Sequence, residues 1–162
     1  MKREPDVYTT RSASEVAEGD LVPSMTQPIT YAMVVMSAAA TWTFFAGHID
    51  TAYAQLQGRR GIYMATGPIN GLVDRYVTQW AGPLAFVRRR RTTMRESICA
   101  DDTVTFDGRI ERITIEPSRI GPEGSDATVV ELSVSVRNQH GDTCVVSSVS
   151  IELPQPKAGV NA

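Results

Sequence analysis

Several residue types that mark specialised classes of protein are scarce in this chain of 162 residues. It has two cysteines, Cys99 and Cys144, which are too few for a disulfide framework or a zinc site. Aromatic residues make up 7% and charged residues 21% of the chain, beside 42% hydrophobic residues, as in an average globular domain. We therefore expect a folded protein without a metal, in a reduced, cytoplasmic setting.

A net positive charge and long apolar runs are also lacking. Sixteen Lys and Arg against 18 Asp and Glu give a net charge of −2, so there is no overall basic field for nucleic acid. No apolar run reaches the roughly 18–20 residues that span a bilayer. The first residues, MKREPDVYTTRS, lack the apolar region of a secretory signal. Neither a nucleic-acid nor a membrane partner is expected.

The hydrophobic pattern predicts one domain between two polar ends. Residues 1–18 and 154–162 lack periodicity, so that they are predicted to be a flexible N-terminal and a C-terminal tail around a domain over 19–153. In its first half the apolar residues recur at helical spacing, and in its second half they alternate with polar residues, which indicates strands.

The clearest helix is predicted over 66–80, with Thr66 as its N-cap. Its apolar residues fall on one face: Ile69, Leu72, Val73, Tyr76, Val77 and Trp80. Before it, the pattern predicts a strand over 24–29, an apolar and therefore buried helix over 31–42, and a short helix over 51–57 that Gly58 ends.

After Pro83, alternation of apolar and polar residues predicts strands over 84–97, 127–138 and 143–153, and either one strand or a bent pair of strands over 101–116. Long antiparallel strands with one central helix form an α+β architecture, in which a curved sheet wraps around the helix.

The two histidines differ in their surroundings. His140 stands beside Gly141 in a predicted hairpin turn, where an exposed turn residue is the simple interpretation. His48 lies in a loop between two helices, ahead of Asp50. It is either a structural histidine, hydrogen-bonded in that loop, or a general acid or base, because imidazole changes charge near neutral pH.

The segment around His48 resembles the MaoC-like family of hydratases and dehydratases, which have the hot-dog fold. The resemblance covers roughly residues 24–153, and it is strongest to small subunits of actinobacterial heteromeric enoyl-CoA hydratases. The pieces that carry it are His48-Ile-Asp50, Gly71-Leu72-Val73, the run from Arg75 to Pro83, Asp102-Thr-Val-Thr-Phe106, and Val136-Arg-Asn with Gly141-Asp142.

The resemblance implies reversible hydration of enoyl thioesters, carried by CoA or by an acyl carrier protein, without a metal or redox cofactor. In the family, an Asp and a His share one water, which adds to the acyl chain. Backbone N–H groups at the start of the central helix, here those of Thr66 or Gly67, then stabilise the negative thioester oxygen.

One position departs from the family. Thr43 stands where the family has its Asp, and a hydroxyl cannot serve as a carboxylate base, although it can hold water or substrate. Asp50 could orient the ring of His48 or contact substrate. The chain is therefore an altered hydratase, an enzyme for another reaction such as thioester hydrolysis, or a non-catalytic subunit that binds acyl thioesters beside an active partner.

Arginines are candidates for the phosphates of CoA or of a phosphopantetheine, because the guanidinium group binds phosphate in a bidentate way. Arg59 and Arg60 precede the central helix, while Arg88 and Arg90 lie on a predicted strand whose alternation sends Arg89 and Arg91 to the opposite side. The alternative for the strand is a solvated edge or an interface. The resemblance implies a homodimer, or a heteromer with a second hot-dog protein.

Overall fold

The apolar stripe predicted for residues 66–80 forms the centre of the fold. In the computed structural model, which describes residues 9–154, a five-stranded antiparallel sheet wraps around this helix. The elements in chain order are β1 (Leu21–Pro28), α1 (Tyr31–Ala40), α2 (Thr51–Leu56), α3 (Thr66–Ala81), β2 (Phe86–Met94), β3 (Thr103–Pro117), β4 (Asp126–Arg137) and β5 (Thr143–Leu153). The predicted fold class is thereby confirmed.

The strands lie in the order β1-β3-β4-β5-β2, so that β1 and β2 are the two edges of the sheet. Every neighbouring pair is antiparallel. The predicted apolar stripe of α3 is buried against the sheet, except for Trp80, which is partly buried.

Tyr76 shows how closely α3 approaches the sheet. Its hydroxyl donates to the Val22 carbonyl of β1 at 3.3 Å, and a Cβ on Gly108 of β3 would lie 3.0 Å from the same hydroxyl. The glycine therefore leaves room for a large side chain in the core. Burial raises the pKa of the Tyr76 phenol, so that it remains a neutral donor.

Two local predictions for the helices are wrong. Thr66 is the first residue of α3 rather than its N-cap; the N-cap is Ala65, which has no side chain to accept a hydrogen bond. Helix α1 ends at Ala40, and it is not buried, because only Val34 and Ala38 are shielded while Met36 is 69% exposed. The apolar composition of α1 therefore does not reflect burial within this chain.

The ends of the domain were predicted to be tails, of which residues 1–8 and 155–162 lie outside the described residues. Within 9–18, the Arg11 N–H donates to the Ala81 carbonyl at 2.9 Å, and the Arg11 guanidinium donates to the Trp80 carbonyl at 2.9 Å. Thr10 lies against Gly82, where a Cβ would come within 2.4 Å of the Thr10 Cα. This part of the segment thus covers the end of α3.

Among residues 9–154, no helix combines the length and the hydropathy needed to cross a bilayer.

Candidate active site

His48 lies at the end of a short 3₁₀ turn, Ala46–His48, between α1 and α2. The turn contains Gly47, whose position is crowded: a Cβ there would lie 2.6 Å from the Tyr63 hydroxyl and 2.9 Å from the Phe45 ring. The missing side chain allows both aromatic rings to approach the backbone just before His48. As a result the histidine is only 7% exposed.

The ring of His48 is held by one hydrogen bond and two aromatic neighbours. Its Nδ1 lies 2.7 Å from the carbonyl oxygen of Tyr63, and the rings of Phe45 and Tyr63 lie edge-on at centroid distances of 5.5 Å and 5.1 Å. A carbonyl oxygen only accepts hydrogen bonds, so Nδ1 must carry the hydrogen. In the neutral ring Nε2 therefore has the free lone pair.

Nε2 has no hydrogen-bond partner among the residues that the structure describes. The nitrogen that is able to accept a proton is thus the one that no protein group occupies. This is the arrangement of a general base that is oriented through its other nitrogen.

The same backbone segment connects His48 to the start of α3. Tyr63 precedes Thr66 by three residues, which span at most about 11 Å. The Ile69 N–H donates to the Ala65 carbonyl at 3.3 Å, and Pro68 has no N–H. The N–H groups of Thr66 and Gly67 have no acceptor within residues 9–154, as expected at a helix start.

The start of α3 is also open to a ligand. A Cβ on Gly67 would meet no atom within 4 Å, and the aligned peptide dipoles of α3 favour negative charge at this end. The Tyr63 carbonyl that holds His48 is therefore linked to the N–H groups of Thr66 and Gly67 through a short stretch of backbone; the roles that the sequence predicts for these three residues stay predictions.

Thr43 and Asp50 are engaged elsewhere. The hydroxyl of Thr43 donates to the Thr41 carbonyl at 3.2 Å and lies 3.0 Å from the Thr41 hydroxyl. The carboxylate of Asp50 caps α2 by accepting from the N–H of Ala52 at 2.9 Å and of Tyr53 at 3.2 Å. Neither side chain hydrogen-bonds His48, so the ring is oriented by the Tyr63 carbonyl and not by Asp50.

Arg60 forms a bidentate ion pair with Asp102, with N–O distances of 2.6 Å and 2.8 Å. The Asp102 side chain is completely buried, whereas that of Arg60 is 48% exposed. Burial raises the pKa of the Asp102 carboxyl, but the hydrogen bonds from Arg60, the Cys99 N–H and Gln139 outweigh it, so that the pKa is lowered. Asp102 is therefore a buried anion with a full set of donors.

This ion pair supports the segment that orients His48. The Cys99 N–H donates to Asp102 at 2.7 Å, and Cys99 forms a β-bridge with Tyr63. On both sides of that bridge the backbones are joined, by Met64 N–H to the Ile98 carbonyl and by Ala100 N–H to the Ile62 carbonyl. In the sequence, Asp102 is only one residue of a run that carries the resemblance, and no periodicity indicates its buried ion pair.

The other candidate arginines also have carboxylate partners. Arg59 lies 3.8 Å from Glu96, with both side chains largely exposed, and it lines a cleft of about 100 Å³ beside Arg60. On the sheet, Arg88 lies between two glutamates and Arg90 contacts an aspartate of α3. His140 is exposed, as predicted, and its Nε2 lies 3.2 Å from Arg60.

Known proteins are similar to this chain in sequence and in structure. No protein-family model matches the chain. The chain is 38% identical over 80 residues, which are 49% of its length, to the "3-oxo-4,17-pregnadiene-20-carboxyl-CoA hydratase beta subunit" of Mycobacterium tuberculosis; the match spans 62% of that relative. Among solved structures, a chain of the ChsH1-ChsH2 complex from Mycobacterium tuberculosis is 28% identical, with a TM-score of 0.74 over 85% of this chain and 98% of that one.

Two further structures share the fold at lower identity. The MaoC-like dehydratase from Rhodospirillum rubrum has a TM-score of 0.73 at 18% identity, over 90% of this chain and 98% of that chain. The (R)-hydratase from A. caviae has a TM-score of 0.72 at 17% identity, over 88% of this chain and all of the other.

The chain has the hot-dog fold of the MaoC-like dehydratases and is similar in sequence to the hydratase beta subunit of Mycobacterium tuberculosis. Its relatives carry the names of hydratases and dehydratases, and one of them is named a subunit. The resemblance that was inferred from the segment around His48 is thereby confirmed.

The ion pair between Arg60 and Asp102 predicts a pH-dependent stability. Replacing Asp102→Asn should lower the free energy of unfolding at pH 7 by on the order of 1.5–3 kcal/mol, because Arg60 and the Cys99 N–H lose a buried charged acceptor. The carboxyl has a lowered pKa in the folded state, so the unfolded state takes up its proton first as the pH falls. The contribution of the Asp102 carboxylate to stability is therefore fully present above the pKa of an unfolded aspartate, about 3.9. It is lost as the pH falls through the lower pKa of Asp102 in the folded state.

Urea unfolding of both proteins across this pH range measures the difference. A matched control is Asp107→Asn, because Asp107 pairs with Arg137 at 2.7 Å while the two side chains are 33% and 55% exposed. A partly exposed pair contributes less than about 1 kcal/mol. Equal losses of stability in the two variants would contradict the role assigned to Asp102.

Proposed function

We propose that the chain catalyses the reversible hydration of enoyl thioesters to 3-hydroxyacyl thioesters, in a complex with a second hot-dog protein. The observation that carries the proposal is the orientation of His48, whose Nδ1 donates to the Tyr63 carbonyl at 2.7 Å and leaves Nε2 free. The hydratase names of the relatives support this reaction class.

In the proposed hydration, Nε2 of His48 takes a proton from a water molecule while the water oxygen bonds to C3 of the enoyl group. The electron pair of the C2–C3 double bond moves towards the thioester carbonyl, and the same imidazole then delivers its proton to C2. One water is consumed, and the histidine returns to its neutral form. Dehydration follows the same steps in reverse.

The negative charge that develops on the thioester oxygen needs fixed donors. We assign this role to the N–H groups of Thr66 and Gly67, which have no acceptor within residues 9–154 and lie at the positive end of α3. Donors that are already aligned need not reorganise during the reaction, and removal of one such donor in other enzymes costs roughly 100-fold to 1000-fold in rate.

The thioester is carried by CoA or by an acyl carrier protein, and both contain phosphates. Arg59 is the candidate contact, because its side chain is 44% exposed and its carboxylate neighbour Glu96 is 3.8 Å away. Arg60 is held by a buried aspartate, and Arg88 and Arg90 by carboxylates of neighbouring elements. Binding of phosphate by these three arginines would require them to leave their present partners.

A second candidate function is that of a non-catalytic subunit, which shapes the site of an active partner. The observation that favours it concerns Thr43, which replaces the carboxylate of the family and whose hydroxyl contacts Thr41 rather than His48. In that case His48 serves only to orient the loop and the thioester.

Replacing His48 separates the two functions. His48→Ala should reduce hydration of crotonyl-CoA and longer enoyl-CoAs by about 100-fold to 10,000-fold, the range for loss of a general acid or base. The activity is measured with the chain alone and with its co-purified hot-dog partner. His48→Gln is the matched control, because its amide can still donate to the Tyr63 carbonyl but cannot carry a proton. Full activity of either variant would assign the histidine a structural role.

Restoring a carboxylate tests the part played by Thr43. Thr43→Asp should raise the rate by about tenfold or more if the site is a weakened hydratase, because a carboxylate can share the proton transfers with His48. Thr43→Asn is the matched control for size and polarity. Equal rates in the two variants and the unaltered chain would argue for the non-catalytic function.

A further inference from the structure

The chain leaves α1 through a turn that has a tryptophan where glycine is usual. The Thr43 N–H donates to the Ala38 carbonyl at 2.9 Å, and the Trp42 N–H donates to the Ala39 carbonyl at 3.1 Å. These two hydrogen bonds form the Schellman motif at the end of a helix, which has one residue in the left-handed conformation. That residue is Trp42, with a φ of 52°. A bulky side chain is strained at this position, where glycine or asparagine is preferred.

The Trp42 side chain is not buried against the described part of the chain. It is 83% exposed, and its ring packs edge-on against the ring of Phe44 at a centroid distance of 5.7 Å. Phe44 is itself 60% exposed. A strained turn therefore holds two large aromatic rings in solvent, and strain of this kind is concentrated at functional sites. We call Trp42 and Phe44 the aromatic pair.

The aromatic pair is continuous with the surroundings of His48. Phe45 follows Phe44 in the chain, is 44% exposed, and has its ring centroid 5.5 Å from that of His48. The segment from Tyr31 to Gly47 contains no charged residue. An uncharged aromatic surface thus begins beside the imidazole, and it suits an apolar group that is bonded to the reacting carbon atoms.

The proposed reaction decides which part of a thioester can reach these rings. During hydration C3 lies beside Nε2 of His48, and the acyl chain continues from C3. The other end of the substrate, CoA or a carrier protein, carries phosphates, which need charged partners. An acyl chain that covers the aromatic pair removes apolar surface from water, and this removal stabilises the complex. The apolar end of the thioester is therefore the occupant that fits.

We propose that Trp42 and Phe44 bind the acyl chain beyond C3 and make the site selective for long, apolar acyl groups over the four-carbon crotonyl group. The inference rests on the proposed function for the identity of the ligand, an acyl thioester. Complete burial of one methylene group strengthens binding by about fourfold. Even partial cover of a ten-carbon chain by the aromatic pair should therefore favour it by about tenfold or more over a four-carbon chain.

A fluorine label on Trp42 tests this contact without any catalysis. The chain has two tryptophans, Trp42 and Trp80, so labelling it with fluorotryptophan gives two fluorine-19 NMR signals, and the signal that is missing from Trp42→Phe belongs to Trp42. The labelled chain is mixed with its unlabelled hot-dog partner and titrated with decanoyl-CoA or butyryl-CoA, which have no double bond to hydrate. The Trp42 signal should shift with decanoyl-CoA, whose dissociation constant should be lower than that of butyryl-CoA by about tenfold or more.

Replacing Trp42→Gly separates ligand binding from folding. Glycine adopts a φ of 52° without strain, so the thermal unfolding midpoint should stay the same or rise. The affinity for decanoyl-CoA should fall by about tenfold, whereas that for butyryl-CoA should change by less than about twofold. Ile115→Ala is the matched control, because Ile115 is 64% exposed but lies on β3, outside the segment that leads to His48. It should change neither affinity.

Several results would overturn the proposal. A shift of the Trp42 signal when the partner alone is added would show that a protein chain covers the ring. Absence of acyl-CoA binding, equal affinities for the two ligands, or an equal loss of both affinities in Trp42→Gly would exclude a contact with the acyl chain. Because neither ligand can react, a complex that binds decanoyl-CoA through Trp42 but hydrates no enoyl-CoA would support this inference and contradict only the proposed reaction.

Discussion

The hydrogen bond from Nδ1 of His48 to the carbonyl oxygen of Tyr63 determines what this site is able to do. A backbone carbonyl accepts only, and it therefore fixes both the position of the hydrogen and the direction of the ring. Gly47 makes the contact possible, because any side chain there would collide with the Tyr63 ring. Tyr63 in turn lies just before α3, whose first N–H groups have no protein acceptor within the described range. The carbonyl that orients His48 and the first N–H groups of α3 are thus parts of one continuous piece of backbone.

That backbone is supported by a buried charge as well as by apolar packing, since Ile62, Met64 and Ile98 beside the bridge belong to the hydrophobic core. A buried carboxylate is costly unless donors surround it, and Asp102 receives hydrogen bonds from Arg60, the Cys99 N–H and Gln139. The Cys99 contact continues through the β-bridge to Tyr63. The loop that carries His48 is thereby joined to β3, the longest strand of the sheet.

The sequence predicted those elements whose hydrophobic period is long and regular. The stripe of α3 and the alternating strands after Pro83 emerged from periodicity alone, because one face of each packs into the same core. The helix α1 was misjudged, since its outer face is apolar yet exposed: Met36 is 69% exposed, and Trp42, just after α1, is 83% exposed. The apolar composition of a helix therefore does not by itself show that the helix is buried within its own chain.

The sequence supplied candidate residues for the site but not their contacts. A resemblance singled out His48, Thr66 and Gly67, whereas the partners of Asp102, Arg88 and Arg90 lie on elements distant in sequence. Ion pairs of this kind leave no periodic signal. The N-cap at Ala65 was missed because Thr66 is the residue type that commonly caps a helix, whereas Ala65 offers no side-chain acceptor to the first N–H groups of α3.

The most direct test of the account is nitrogen-15 NMR of the His48 ring, recorded at a pH at which the imidazole is uncharged. The two ring nitrogens have distinct chemical shifts according to whether they carry hydrogen or a lone pair. We predict hydrogen on Nδ1, in a hydrogen bond to a carbonyl, and a lone pair on Nε2. Hydrogen on Nε2, with Nδ1 as the acceptor, would contradict the orientation from which the proposed chemistry follows.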